Sequence, residues 1–212
     1  MTEAQHMARL CGPDVAVAMA QAGAGDQLLR PVEAAAIARA VAPRKAEFAA
    51  GRSAARSAMS QFGLAPAAIA MQPDRSPDWP QGLAGSITHD QGLCLAAVAQ
   101  TKSCRAVGID IEPLAEFDSE TAQTVAPELP TDAAPHDAAI VFSIKEAVYK
   151  AQYPLSQEVL NFDALEVVLD KKHAKFAARF CQSAGPISAG TLWHGRYECV
   201  AGRVFSAMIV PA

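Results

Sequence analysis

Two carboxylates stand two residues apart, Asp110 and Glu112, in the apolar run AVGIDIEP at positions 106 to 113. Along an extended chain alternate side chains share a face, so both acids project together. Their mutual repulsion is relieved by a positive charge between them, and a divalent cation is the usual one. Val107, Ile109 and Ile111 mark a strand at least half buried, which argues against a merely solvated acidic face. A third acid, Glu146, lies in FSIKEAVYKA, four residues before Lys150 and therefore on the same helical face. Two readings of Glu146 stand side by side: a solvated Glu–Lys surface pair, or another oxygen donor for the same cation. Ser143 and Glu146 also fit the S-x-x-E capping pattern, but the apolar period runs unbroken through Ile140 and Ile144 and puts Ser143 inside the helix. Lys145 points about a quarter-turn away and is left out of the cluster.

Three oxygen-donor residues suit magnesium, which takes few protein carboxylates and leaves positions for water and substrate phosphate. A phosphate-bearing substrate then needs anion-binding groups. The chain offers Arg44, Lys45, Arg52 and Arg75, and the polar trio Ser86, Thr88 and His89. Each taken alone is as well explained by a solvated or structural side chain.

The elements that must position these residues can be read from pattern. A proline opens RPVEAAAIARAV, predicting a helix from Pro31 to Val41, and a longer helix follows through PRKAEFAAGRSAARSAMSQFGL with Gly63 as terminator. MQPDRSPDWPQG, dense in Pro and Asp, reads as a loop without regular structure. GSITHD, GLCLAAVAQ and RAVGIDIE read as strands, and the stretch between Pro113 and Pro135 as a connector with one short helical piece. Ile140, Val141, Ile144, Ala147, Val148 and Ala151 keep a helical period, with Asp137 as expected N-cap. FDALEVVLD, KFAARF and YECVAGRVFSAMIV are β-like, the last with a hairpin turn at Ala201-Gly202. Both halves run helix first and strands after, so the expected fold class is α+β, as two similar lobes over residues 1–112 and 113–212 related by a pseudo-twofold.

At 212 residues, 51% hydrophobic and 19% charged, the chain folds as a globular protein, and its net charge of −4 excludes the broad basic field of a nucleic-acid-binding domain. Five cysteines without C-x-x-C spacing imply neither a disulfide framework nor a zinc site and point to the cytosol. The Ala/Val-rich run from Val15 to Ala24 is too short for a transmembrane segment, so a soluble protein is expected.

Taken in order, these stretches resemble the 4′-phosphopantetheinyl transferases, in the two-lobed monomeric class of the enterobactin synthase component D type. RKAEFAAGR is similar to that group's helix motif, DRSPDWPQGLAGSITHD to its Arg-x-Pro-x-Trp-Pro loop and Ser-Ile-Ser-His strand, VGIDIE to its metal strand and FSIKEAVYKA to its signature helix. Thr88 stands in place of the more usual serine, and Asp90 where a small neutral residue is common.

The resemblance implies that a serine of an apo acyl or peptidyl carrier protein attacks the β-phosphate of coenzyme A, taking up phosphopantetheine and releasing 3′,5′-ADP. It implies Asp110, Glu112 and Glu146 as ligands of magnesium or manganese, Lys150 on phosphate charge and Glu146 as candidate base. Arg44, Lys45, Arg52, Arg75, Ser86, Thr88, His89 and Lys150 are implied as coenzyme A contacts, with the site in the cleft between the lobes. Siderophore, other nonribosomal peptide or polyketide synthesis is the implied setting. Carrier docking is expected on an apolar patch of the connector, with Leu114, Phe117 and Leu129. The alternatives are a magnesium-dependent phosphodiesterase or pyrophosphatase using water as nucleophile, and a non-catalytic coenzyme A-binding subunit. Asp110→Ala is expected to abolish transfer and leave folding intact.

Overall fold

The computed structural model describes residues 1–24 and 28–212. The chain divides into two compact units, Met1–Val107 with Pro211–Ala212, and Gly108–Val210.

In the first unit a helix α1 (Glu3–Cys11) starts at a capping box, with Thr2 and Gln5 exchanging side-chain and backbone hydrogen bonds. Strand β1 (Val15–Gln21) accounts for the Ala/Val-rich run. Helix α2 (Pro31–Ala36) is shorter than the proline and alanines predict, because Ile37 leaves helical geometry at φ −114°, ψ 17°. Helix α3 (Ala42–Ser60) begins with Pro43 in its first turn and is followed by Gly63 at φ 70°. The segment read as an unstructured loop carries a small hairpin, β2 (Ala70–Met71) and β3 (Pro77–Asp78), paired Ala70 to Asp78 and Met71 to Pro77. Two long strands follow, β4 (Leu83–Asp90) and β5 (Leu93–Gln100), joined through Gln91 and Gly92 at φ 46° and 83°, the double positive φ of a type I′ turn.

The antiparallel sheet β1-β5-β4 is covered by α3. Their interface is built from methyl groups: Ala54, Ala55 and Ala58 pack with Met59, Ile69, Ala16, Ala96 and Val98. Small side chains let the helix lie close to the sheet, so close that a Cβ on Gly51 would sit 2.9 Å from Ile87 Cγ2.

Strand β6 (Cys104–Pro113) continues from the first unit into the second, and the division falls inside it. Asp110 and Glu112 are therefore grouped with the C-terminal elements. The second unit adds α4 (Ser119–Val125), the short helical piece of the connector, capped by the Asp118 carboxylate on Thr121 N–H. Helix α5 (Asp137–Ser156) follows. Its N-cap is His136, while Asp137 lies in the first turn and accepts from Ala134 N–H and Lys171 Nζ. A 3₁₀ turn (Phe162–Ala164) leads into β7 (Leu165–Asp170), β8 (Lys175–Phe180), β9 (Leu192–Val200) and β10 (Arg203–Pro211). The expected hairpin is present, with Val200 opposite Arg203 and Ala201 and Gly202 both at positive φ. The sheet order is β6-β10-β9-β8-β7. Each unit is thus α+β, a long helix with an antiparallel sheet, although one sheet has three strands and the other five.

Every residue of β6 from Ala106 to Ile111 is buried. Gly108 is where α5 comes against this strand: a Cβ there would lie 1.9 Å from Ala147 O and 2.8 Å from Ala151 N. The obstacle is main chain of a buried helix, which cannot swing aside. Gly108→Ala is therefore expected to destabilise the protein by about 3 kcal/mol or to prevent folding, read as a fall in the urea unfolding midpoint.

Candidate functional site

In the second unit β6 and α5 bring together the acids and the base singled out above. Lys150 Nζ donates to Asp110 Oδ1 at 2.6 Å and to the carbonyl of Ile109 at 3.3 Å. The Asp110 side chain is 3% exposed and that of Lys150 26%, so the pair is sheltered on the strand side and open on the other. Glu146, one turn before Lys150, is half buried. Burial pushes its carboxyl above the usual carboxylate range; Lys150 opposes that shift and Asp110 adds to it. Asp110, Glu146 and Lys150 therefore form one electrostatic group. Glu112 is two residues along from Asp110 on the same side of β6 and half buried.

Among the described residues no three His, Cys, Asp or Glu side chains converge closely enough to hold an ion by themselves. Magnesium does not require such a cage. It is held by one or two carboxylates with substrate phosphates and water completing an octahedron, and two coupled carboxylates facing an ammonium fit that requirement.

Neighbouring residues fix this arrangement. Ser143 lies inside α5 and donates to Ser206 Oγ on β10 at 3.0 Å, which confirms that it caps nothing. Lys145 is 2% exposed and bridges Glu128 Oε2 at 2.9 Å and the carbonyl of Phe162 at 2.7 Å, while Glu128 Oε1 accepts from Val167 N–H. Burial lowers the Lys145 pKa against the raising influence of Glu128. Glu128 was not legible in the sequence, since its partners are on α5 and β7. A cavity of about 200 Å³ opens beside Glu146 and Lys145, walled by Tyr149, Leu160, Phe162 and Leu165. Of the connector residues, Leu114, Phe117 and Leu129 are half buried, and Phe117 packs edge-on against Phe142.

The first unit carries the basic candidates. Arg44 Nη1 and His89 Nε2 are 3.2 Å apart, and Arg44 also approaches Glu47 at 3.6 Å. Lys45 is exposed in the same first turn of α3, and Arg75 is exposed in the β2–β3 turn at φ 72°. Strand alternation separates the polar trio. Ser86 and Thr88 lie buried on one face of β4 with Asp90, whereas His89 is exposed on the other with Ile87. Arg52 is placed differently from a phosphate contact. It is 4% exposed, donates from Nε to Ile69 O at 2.8 Å and from Nη2 to Ala70 O at 3.3 Å, and stacks over the Phe48 ring at 4.2 Å.

Residues 32–99 match the model of the 4′-phosphopantetheinyl transferase N-terminal domain, and residues 106–200 that of the 4′-phosphopantetheinyl transferase superfamily. The chain is 36% identical over 199 residues to 4′-phosphopantetheinyl transferase Svp of Streptomyces mobaraensis, covering 87% of this chain and 80% of that protein. The chain belongs to the 4′-phosphopantetheinyl transferase family. To 4′-phosphopantetheinyl transferase PptT of Mycobacterium tuberculosis it is 34% identical over 195 residues, 85% of each chain. To enterobactin synthase component D of Salmonella typhi it is 37% identical over 119 residues, 51% of this chain and 48% of that one.

For this transferase the ion pair alters what Asp110→Ala should do to folding. Removing the buried acceptor of Lys150 is expected to cost about 2 kcal/mol of stability in metal-free buffer. Glu146→Gln is expected to do the opposite. A carboxyl whose folded pKa is raised destabilises the fold once pH rises above its unfolded value, and at neutral pH the amide removes that penalty. Thermal unfolding of both variants in EDTA should show the midpoint falling for the first and holding or rising for the second.

Proposed function

We propose that the transferase moves the 4′-phosphopantetheine arm of coenzyme A onto a serine of an apo acyl or peptidyl carrier protein, releasing 3′,5′-ADP, with magnesium or manganese held by carboxylates from the set Asp110, Glu112 and Glu146 and its shell completed by substrate phosphates and water. The observation that carries this reading is the Asp110–Lys150 ion pair beside Glu146, a group of opposite charges on a strand and a helix buried enough to be fixed and open enough to meet substrate. When bound, the metal supplies charge neutralisation at the pyrophosphate. Glu146 accepts the proton of the carrier serine at its carboxylate oxygen as the serine oxygen bonds to the β-phosphorus. The bond from that phosphorus to its bridging oxygen breaks, and 3′,5′-ADP leaves with the electron pair. Lys150 Nζ donates to the phosphate oxygens on which charge accumulates. The apolar-walled cavity beside Glu146 suits the uncharged pantetheine arm.

Arg44 with His89, Lys45, Arg75, Ser86 and Thr88 are the groups proposed to hold the phosphates and adenosine of coenzyme A. Partial similarity to enterobactin synthase component D supports a carrier of siderophore, other nonribosomal peptide or polyketide synthesis. A monomer acting in the cytoplasm is proposed: all five cysteines are free, as a reducing compartment keeps them, and among the described residues no helix is long and apolar enough to cross a membrane.

Transfer of a fluorescent pantetheine arm from labelled coenzyme A to a purified apo peptidyl carrier tests the reading. Mass-verified modification of the carrier serine is expected with magnesium and not with EDTA, and Lys150→Ala is expected to lower kcat about 100-fold. Release of 3′,5′-ADP without any acceptor protein would instead indicate the water-using phosphodiesterase. Coenzyme A binding without transfer to several unrelated carriers would indicate a binding subunit.

A further inference from the structure

The first unit contains a buried charged network to which the transfer chemistry assigns no part. Glu33 is fully buried, and its carboxylate accepts from Arg56 Nη1 at 2.9 and 3.0 Å, from Ile69 N–H at 2.9 Å and from Arg30 N–H at 2.8 Å. Arg52 holds the carbonyls of Ile69 and Ala70. Ile69, itself fully buried, thus has its amide held by an acid on α2 and its carbonyl by a base on α3. Burial pushes Arg52 down to about 10, with Glu33 acting against that fall. Such burial is costly, and apolar residues would stabilise the fold at least as well.

What the network fixes is the chain entering β2. The β2–β3 hairpin has two residues in each strand, too few to hold its own position. Its turn is closed by Arg75 N–H on Gln72 O, Gln72 N–H on Ser76 O and the Ser76 N–H and hydroxyl on the Asp74 carboxylate, and it displays Arg75 in a left-handed conformation.

We propose that Arg52, Glu33 and Arg56 are positioning residues for coenzyme A, pinning Ile69 and Ala70 so that the hairpin presents Arg75 to the phosphate groups of the coenzyme. The proposal rests on the assignment of Arg75 as a coenzyme contact. Arg52 therefore touches no substrate and acts through Arg75. Its fork of two donors on successive carbonyls is a geometry that a lysine ammonium cannot reproduce.

The test measures coenzyme A KM and kcat with a saturating apo carrier, together with direct coenzyme A binding by calorimetry. Arg52→Met and Arg52→Lys are each expected to raise KM about tenfold, with kcat unchanged and no rescue by lysine. In an Arg75→Ala background, Arg52→Lys is expected to raise KM no further. Equal loss in both backgrounds, or loss of kcat alone, overturns the proposal, because Arg52 would then act elsewhere than through Arg75. Unchanged coenzyme A binding by Arg75→Ala overturns the Arg75 assignment, and the inference with it, while leaving the carboxylate and lysine chemistry intact. Should Arg52→Met fail to fold, Arg52→Lys carries the measurement. Amide exchange over Gln72 to Ser76 reads the hairpin directly: faster exchange in Arg52→Lys supports the proposal, and unchanged exchange overturns it.

Discussion

The approach of β6 to α5 at Gly108 is the constraint on which the site depends. With no side chain at that position, the strand lies against the carbonyl of Ala147 and the amide of Ala151, one on either side of Lys150 in the helix sequence. That contact sets the distance over which Asp110 and Lys150 meet at 2.6 Å. A wider spacing would leave a buried acid facing nothing and an ammonium on a helix surface. The two helix residues that supply this main chain, Ala147 and Ala151, are themselves fully buried.

Burial of charge follows one rule in both units. Asp110 is matched by Lys150, Glu128 by Lys145 and Glu33 by Arg56; Glu128 and Glu33 also engage main chain of a third segment, while Lys150 also donates to the carbonyl of Ile109 on the strand that carries Asp110. These pairs contribute less as sources of stability than as fixings, because desolvation offsets most of their Coulombic attraction. They hold short or irregular segments, the connector near Glu128 and the chain entering β2 near Glu33, that have no regular hydrogen-bonded neighbours of sufficient length to hold themselves.

What could be read from sequence was governed by how local the determining signal is. The period from Ile140 to Ala151 located α5, and Ala201-Gly202 located a hairpin, because both signals lie within the element they specify. The continuous apolar run of β1 has no alternation to distinguish strand from helix, and α2 ends where no sequence breaker stands. The β2–β3 hairpin was hidden in a segment of Pro and Asp because tertiary anchors, not propensity, hold it. Asp110, Lys150 and Glu146 were legible because strand and helix periodicity each fix a side chain's face. Glu33 and Glu128 were not, since the partners that bury them lie 23 and 17 residues away in other elements. Arg52 looked like its exposed neighbours Arg44 and Lys45, and only its burial, its hydrogen bonds to the carbonyls of Ile69 and Ala70 and its packing against Phe48 tell it apart.

The alanine face of α3 makes that helix a ruler. Its separation from β1 and β5 is set by single methyl groups at positions 54, 55 and 58, which have no slack to take up a change in volume. Arg44 lies in the first turn of the same helix, about 20 Å from Ala58 along its axis. An added methylene near the C-terminal end would tilt the rod about its contact with the sheet and displace the guanidinium at the other end by a comparable distance. In this fold, the position of the Arg44 guanidinium and the volume of a distant core are one mechanical quantity, and selection on either acts on both.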